Sequence, residues 1–257
     1  MKNERFNIKN IFISSICFIY LIIILFFIFM DGIGKKGSYG VSGFIEQDHL
    51  RKSLGDWYQL IFYTFQVNIY FLIIGISYVF LSKSKIINNL FFCSSTLLFL
   101  CLLSMFVFKF DSFKYNSYEA TKTIFVHLLI PISSFIMVFI IRKEIFLEWK
   151  ILWINSLYIS LYIILTVIVY YVVNFAQDTN YPNQPLWIYK FLDYNNQILF
   201  IPLPGIGLTI LGIIVLILLT PPFGMLLFLL AKTLFRIQIE QTNSLKFNAF
   251  LNWNISS

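Results

Sequence analysis

Apolar residues run in long blocks along this chain, and polar residues gather in the short stretches between them. Six blocks reach about 18 residues or more, the length an α-helix needs to cross a bilayer core. They cover about 11–30, 57–81, 90–108, 123–141, 151–175 and 206–231. The pattern predicts an all-α fold: a single polytopic membrane domain over 1–257, built as a bundle of six transmembrane helices. Lys2, Arg5 and Lys9 precede the first block as in a signal peptide, but the block is too long and no small-residue cleavage site follows. It is expected to stay as the first span. A polar turn is expected from Ser82 to Asn89, and polar loops over 31–56, 109–123 and 176–205. Pro131, early in the fourth block, lacks an N–H and is expected to free the carbonyl four residues earlier, that of His127.

Composition agrees with this pattern. Of 257 residues 59% are hydrophobic and only 12% charged, about half the charged share of a soluble domain. The net charge of +7 does not point to nucleic acid, because the cations sit in short segments between apolar blocks. The positive-inside rule accounts for them. With both termini cytoplasmic, the inner segments hold eleven of the nineteen Lys and Arg in the shorter total length. The expected location is therefore a cell membrane, crossed several times. Cys17, Cys93 and Cys101 lie inside apolar blocks, where Cys is an apolar packing residue, and no Cys/His spacing suggests a metal. Ser94, Ser95, Thr96 and Ser104 read as helix-interface residues.

The candidate chemistry lies in two stretches. In the second block Thr64, Gln66 and Asn68 can hydrogen-bond, and such groups are costly in lipid without partners. Thr64 and Asn68 are four apart and share a helix face. In the fourth block stands His127; the other histidine, His49, reads as a solvated loop residue. Thr64 lies about seven residues into its block and His127 about four. At about 1.5 Å per residue their depths differ by about 5 Å. A hydroxyl and an imidazole at one depth form a nucleophile and base pair that attacks an acyl carbon. Asn68 or Gln66 is then expected to orient a partner or donate to the oxyanion. Trp187 and Tyr189, in the long loop on the same side, are placed to cover the site. The bland reading stands beside this one: an intramembrane Thr bonds its own helix backbone, and an Asn glues helices together.

Tyr63-Thr64-Phe65-Gln66-Val67-Asn68 resembles the F-T-x-Q-[ST]-N motif of the androgen-induced protein family and its bacterial six-span relatives. His127-Leu128-Leu129-Ile130-Pro131 is similar to that family's H-x-x-x-P, and Trp187 to Asp193 to its Y-P-Y-x-F-L-D. Val67, Ile188 and Lys190 depart from those patterns. The resemblance implies a threonine hydrolase of lipid esters, with Thr64 as nucleophile and His127 as its partner. It implies no metal and no organic cofactor; the expected partners are membrane lipid and a lipid-ester substrate. The rival expectation is a small-molecule transporter or substrate-binding membrane subunit, or a non-catalytic membrane protein. No acidic or basic residue lies mid-block, so a transported solute would be neutral.

Overall fold

The computed structural model describes residues 7–33, 58–104, 117–147, 149–176, 197–198, 201–202, 214, 218, 229 and 232–239. Helix α1 (Ile8–Ile33) is followed by a 3-10 turn (Tyr58–Ile61), α2 (Tyr63–Leu81) and α3 (Lys85–Ser104). Then α4 (Ser117–Ile124) runs through a π turn (Phe125–Leu129) into α5 (Ile130–Ile141), and α6 (Trp149–Ala176) follows. Among the described residues four helical stretches are long and apolar enough to cross a membrane: Ile8–Asp31, Tyr63–Leu81, Lys85–Leu103 and Ala120–Ile141. They coincide with the first four apolar blocks. The fifth block falls within α6, whose described apolar part is Asn155–Val169. The sixth, 206–231, lies almost entirely outside the described residues, as does most of the expected loops 31–56 and 176–205; of these, residues 31–33 belong to α1 and Ala176 to α6. The strands among the described residues form two short ladders. Phe146–Leu147 (β1) pairs in parallel with Gln238–Ile239 (β4), and Gln197–Ile198 (β2) pairs antiparallel with Ile201–Pro202 (β3).

The distribution of polarity is that of a membrane bundle. Phe12, Ile19, Phe26 and Phe29 of α1, and Ile136 and Phe139 of α5, face outward, whereas Asn68, Ser94, Ser95, Thr96 and Ser134 are buried. Ser95 and Ser134 join α3 to α5 through a 2.9 Å hydroxyl pair. Without water as a competitor, helices associate through close packing and such bonds rather than through an oily core. Gly75 on α2 shows the packing at its tightest. A Cβ there would collide with Cys17 Sγ of α1, while Ser14 Oγ donates to the Gly75 carbonyl at 2.9 Å.

The two ends of the bundle are tied differently. At one end Asn7 caps α1, its Oδ1 accepting Lys9 N–H at 3.1 Å. Lys9 then pairs with Glu144, just past α5. Tyr78 OH donates to Glu144 Oε2 at 2.6 Å, and Asn88 Nδ2 donates to the carbonyls of Glu144 and Ser82, both at 3.1 Å. The same Ser82 accepts Asn10 Nδ2 through its hydroxyl at 2.8 Å. At the other end Lys122 of α4 pairs with Asp31 at 3.0 Å, and Tyr118 OH donates to the same carboxylate at 2.8 Å.

The expected turn from Ser82 to Asn89 is a correction. Only Ser82 to Ser84 turn; α3 begins at Lys85, and Asn88 and Asn89 are buried in its first turns. The cause is local: Ser84 Oγ accepts Ile87 N–H and the Ser84 carbonyl accepts Asn88 N–H, so Ser84 is a helix cap. The loop expected over 109–123 likewise ends early, since α4 starts at Ser117.

Gly75→Ala is expected to destabilise the bundle by about 1–3 kcal/mol, the usual cost of overpacking. Combining it with Cys17→Ala, which removes the opposing sulfur, should recover most of that loss. Thermal unfolding in detergent, read by circular dichroism, checks both.

Candidate functional site

The N-terminus of α2 is built without a side-chain cap of its own. Phe62, the capping residue, is extended at φ −68 and ψ 129 and offers no side-chain bond. The donors and acceptors come from α6 instead. Tyr63 N–H donates to Tyr162 OH at 2.8 Å, and that hydroxyl donates to the Ile61 carbonyl at 3.0 Å. Gln66 Nε2 reaches back to the carbonyls of Leu60 at 2.8 Å and Ile61 at 3.4 Å. Its Oε1 accepts Tyr158 OH at 3.2 Å. The Tyr63 ring meets Tyr162 edge-on at 5.1 Å, and its hydroxyl donates to the Leu97 carbonyl at 3.4 Å. Tyr63 and Gln66 therefore fasten the start of α2 to α3 and α6. Tyr158 and Tyr162, four apart on one face of α6, complete this seat, and that spacing was the signal in the sequence.

The π turn explains Asn68. Ile130 N–H bonds the Phe125 carbonyl, one residue further back than in an α-helix. In that register the next carbonyl, Val126, is offered to residue 131, which is proline and has no N–H. Asn68 Nδ2 supplies the donor at 3.2 Å, and its other hydrogen bonds the Thr64 carbonyl at 2.7 Å. The freed carbonyl is thus that of Val126, not of His127 as α-helical counting expects. Asn68 is fully buried and stitches α2 to the π turn.

Thr64 and His127 meet the same residue of α3. Thr64, 7% exposed, has its hydroxyl beside the Cys101 thiol. His127 Nδ1 lies 3.2 Å from the Cys101 carbonyl. A carbonyl only accepts, so Nδ1 carries a proton, and of the two neutral tautomers the contact selects the one protonated there. This is the arrangement in which a neighbouring acceptor fixes the tautomer and aim of a basic imidazole. Cys101, read from the sequence as packing, is the residue that gathers the pair; only its depth in the third block hinted at this.

Two expected roles change. Both amide hydrogens of Asn68 are committed to backbone carbonyls, and Gln66 Nε2 is likewise committed. Neither is placed as an oxyanion donor. Trp187 and Tyr189 lie outside the described residues. No family model, no curated protein and no solved structure matches the chain.

The Asn68–Val126 bond and Pro131 should be energetically coupled. Asn68→Leu is expected to cost about 1–3 kcal/mol by leaving a buried carbonyl without a donor. Pro131→Ala, which restores an N–H at residue 131, should stabilise the Asn68→Leu protein by about 1 kcal/mol more than it stabilises the wild type. A double-mutant cycle on unfolding in detergent measures that difference. Strict additivity would contradict the repair.

Proposed function

We propose that this chain is a six-span membrane hydrolase of a lipid ester, with α6 and 206–231 as the fifth and sixth spans and both termini cytoplasmic. Thr64 is the nucleophile and His127 the general base. The observation that supports it most is the shared contact of Thr64 and His127 with Cys101, with the imidazole held as the Nδ1–H tautomer. The resemblance of the Thr64 and His127 stretches to threonine hydrolase motifs points the same way.

Under this reading a χ1 rotation exchanges the Cys101 thiol for the imidazole as the partner of Thr64. Nε2 takes the hydroxyl proton, and Thr64 Oγ1 forms a bond to the acyl carbon. The tetrahedral oxyanion collapses, the ester C–O bond breaks, and the imidazolium returns its proton to the leaving alcohol. Water, deprotonated by the same nitrogen, then releases the acid and restores Thr64. With Asn68 and Gln66 committed elsewhere, oxyanion stabilisation falls to backbone N–H groups in the first turn of α2, at the positive end of that helix.

A second reading is a transporter, a substrate-binding subunit or a non-catalytic membrane protein. The observation favouring it is that the side-chain amides of Gln66 and Asn68 serve backbone carbonyls and hold helices together. On that reading a neutral ligand stabilises the protein in detergent without being consumed.

Purified protein is expected to cleave long-chain lipid esters, with activity abolished in Thr64→Ala. His127→Gln should lower it by about 10²–10⁴-fold, the range for loss of a general base. Cys101→Ala should retain activity, since the His127 partner is the backbone carbonyl. Product release followed by mass spectrometry decides. Equal cleavage by wild type and Thr64→Ala would reject the mechanism, and ligand-induced stabilisation without turnover would favour the second reading.

A further inference from the structure

The membrane-facing side of α5 carries a feature that catalysis does not use. Ile132, Ile136, Phe139 and Ile140 are 41%, 57%, 51% and 43% exposed, and their spacing sets them in one stripe. The opposite side of the helix, with Ser134, Met137, Val138 and Ile141, is buried. The stripe ends at two cations. Arg142 lays its guanidinium over the Phe139 ring, 3.9 Å from the ring centre, and Lys143 next to it is exposed. From Ile132 to Ile141, where α5 ends just before the two cations, is nine residues, about 14 Å of helix. That matches the hydrocarbon depth of one leaflet, about 15 Å.

Among the described residues the charge at this end is mostly positive. Lys9, Lys83, Lys85, Lys232 and Arg236 belong to the same end, placed there by the Lys9–Glu144 and Asn10–Ser82 bonds and by the β1–β4 ladder. The acid described among them is Glu144, and its carboxylate is occupied by Lys9 and Tyr78. It leaves Arg142 and Lys143 unneutralised. At the opposite end Asp31 and Lys122 close on each other.

We propose that the α5 stripe is a binding site for an anionic phospholipid. Its acyl chain lies along Ile132, Ile136 and Ile140, and its phosphate meets Arg142 and Lys143. The Phe139 ring holds the guanidinium at the boundary between hydrocarbon and headgroup, where a planar fork bonds two phosphate oxygens. A zwitterionic lipid of equal chain length shares the stripe but lacks the net charge that the basic end attracts.

Native mass spectrometry of the full chain in non-ionic detergent, with phosphatidylglycerol and phosphatidylcholine of identical chains, tests this. The wild type should retain phosphatidylglycerol preferentially. Arg142→Gln and Lys143→Gln should each weaken that binding by about fivefold, the worth of one cation at the surface, with phosphatidylcholine binding unchanged. Phe139→Ala should weaken it as well, and provides a second variant should either glutamine change fold poorly. Lys83→Gln with Lys85→Gln should change it less than either single variant. Equal retention of the two lipids by the wild type would overturn the proposal. So would an equal loss in the Lys83/Lys85 pair, which would assign the preference to the whole basic end. Displacement of the lipid by soluble glycerol phosphate at matching concentration would also overturn it.

Discussion

A carbonyl that loses its helical donor inside a bilayer has no water to turn to, and the centre of this bundle is arranged around one such carbonyl. Pro131 removes the N–H that the π register would present to Val126, and Asn68 Nδ2 replaces it from α2. The replacement fixes several things together. It sets the rotation of α2 about its axis and its distance from the π turn. Because Thr64 is one turn before Asn68 and His127 directly follows Val126, it also sets the side on which each is presented. In water a bond of this kind is worth about 1 kcal/mol net, but leaving a buried acceptor unmade costs more. The asymmetry makes the contact a constraint rather than a preference.

The rest of the fold follows the same economy of polar groups. Small residues let α1 and α2 approach at Gly75 and Cys17, and hydroxyls at Ser14, Ser95 and Ser134 bond at the crossings. Charges are kept to the ends. Glu144 gathers Lys9 and Tyr78 with its carboxylate and Asn88 with its carbonyl, so α1, α2, α3 and the end of α5 are joined there. Asp31 and Lys122 do the corresponding work at the other end. Between these polar ends the lipid-facing side chains are interchangeable apolar groups, and the specificity of packing comes from inside.

Much of this was legible in the apolar blocks, because a bilayer demands a length and a continuity that few other environments do. The face shared by Thr64 and Asn68 followed from helical spacing, and the similar depth of Thr64 and His127 from counting residues. What escaped the sequence depended on register and on partners from other helices. Counting in α-helical steps assigns the freed carbonyl to His127; the π turn moves it to Val126, a shift of one residue that no composition reveals. Asn88 and Asn89 resembled turn residues because nothing local announces that Glu144, 56 positions from Asn88, waits for an amide. Cys101 looked like filler because its importance lies in its backbone carbonyl, which every residue has. The two amides near Thr64 looked like donors in reserve, and their commitment to carbonyls appears only when α2 is seen against the 3-10 turn and the π turn.

The contacts on the two sides of α2 differ in kind. On one side stands the Asn68–Val126 bond, whose rupture orphans a buried carbonyl. On the other stand the tyrosines that join α2 to α6: Tyr63 against Tyr162 at 5.1 Å, and Tyr70 stacked on Tyr158 at 6.2 Å. Such ring pairs are worth about 0.5–1.5 kcal/mol each beyond their burial. The Tyr162 hydroxyl also bonds the Ile61 carbonyl of the 3-10 turn, and the Tyr158 hydroxyl bonds Gln66. On the hydrolase reading proposed above, a substrate reaches Thr64 by parting α6 from α2. The same motion leaves His127 on its Cys101 carbonyl and Asn68 on Val126.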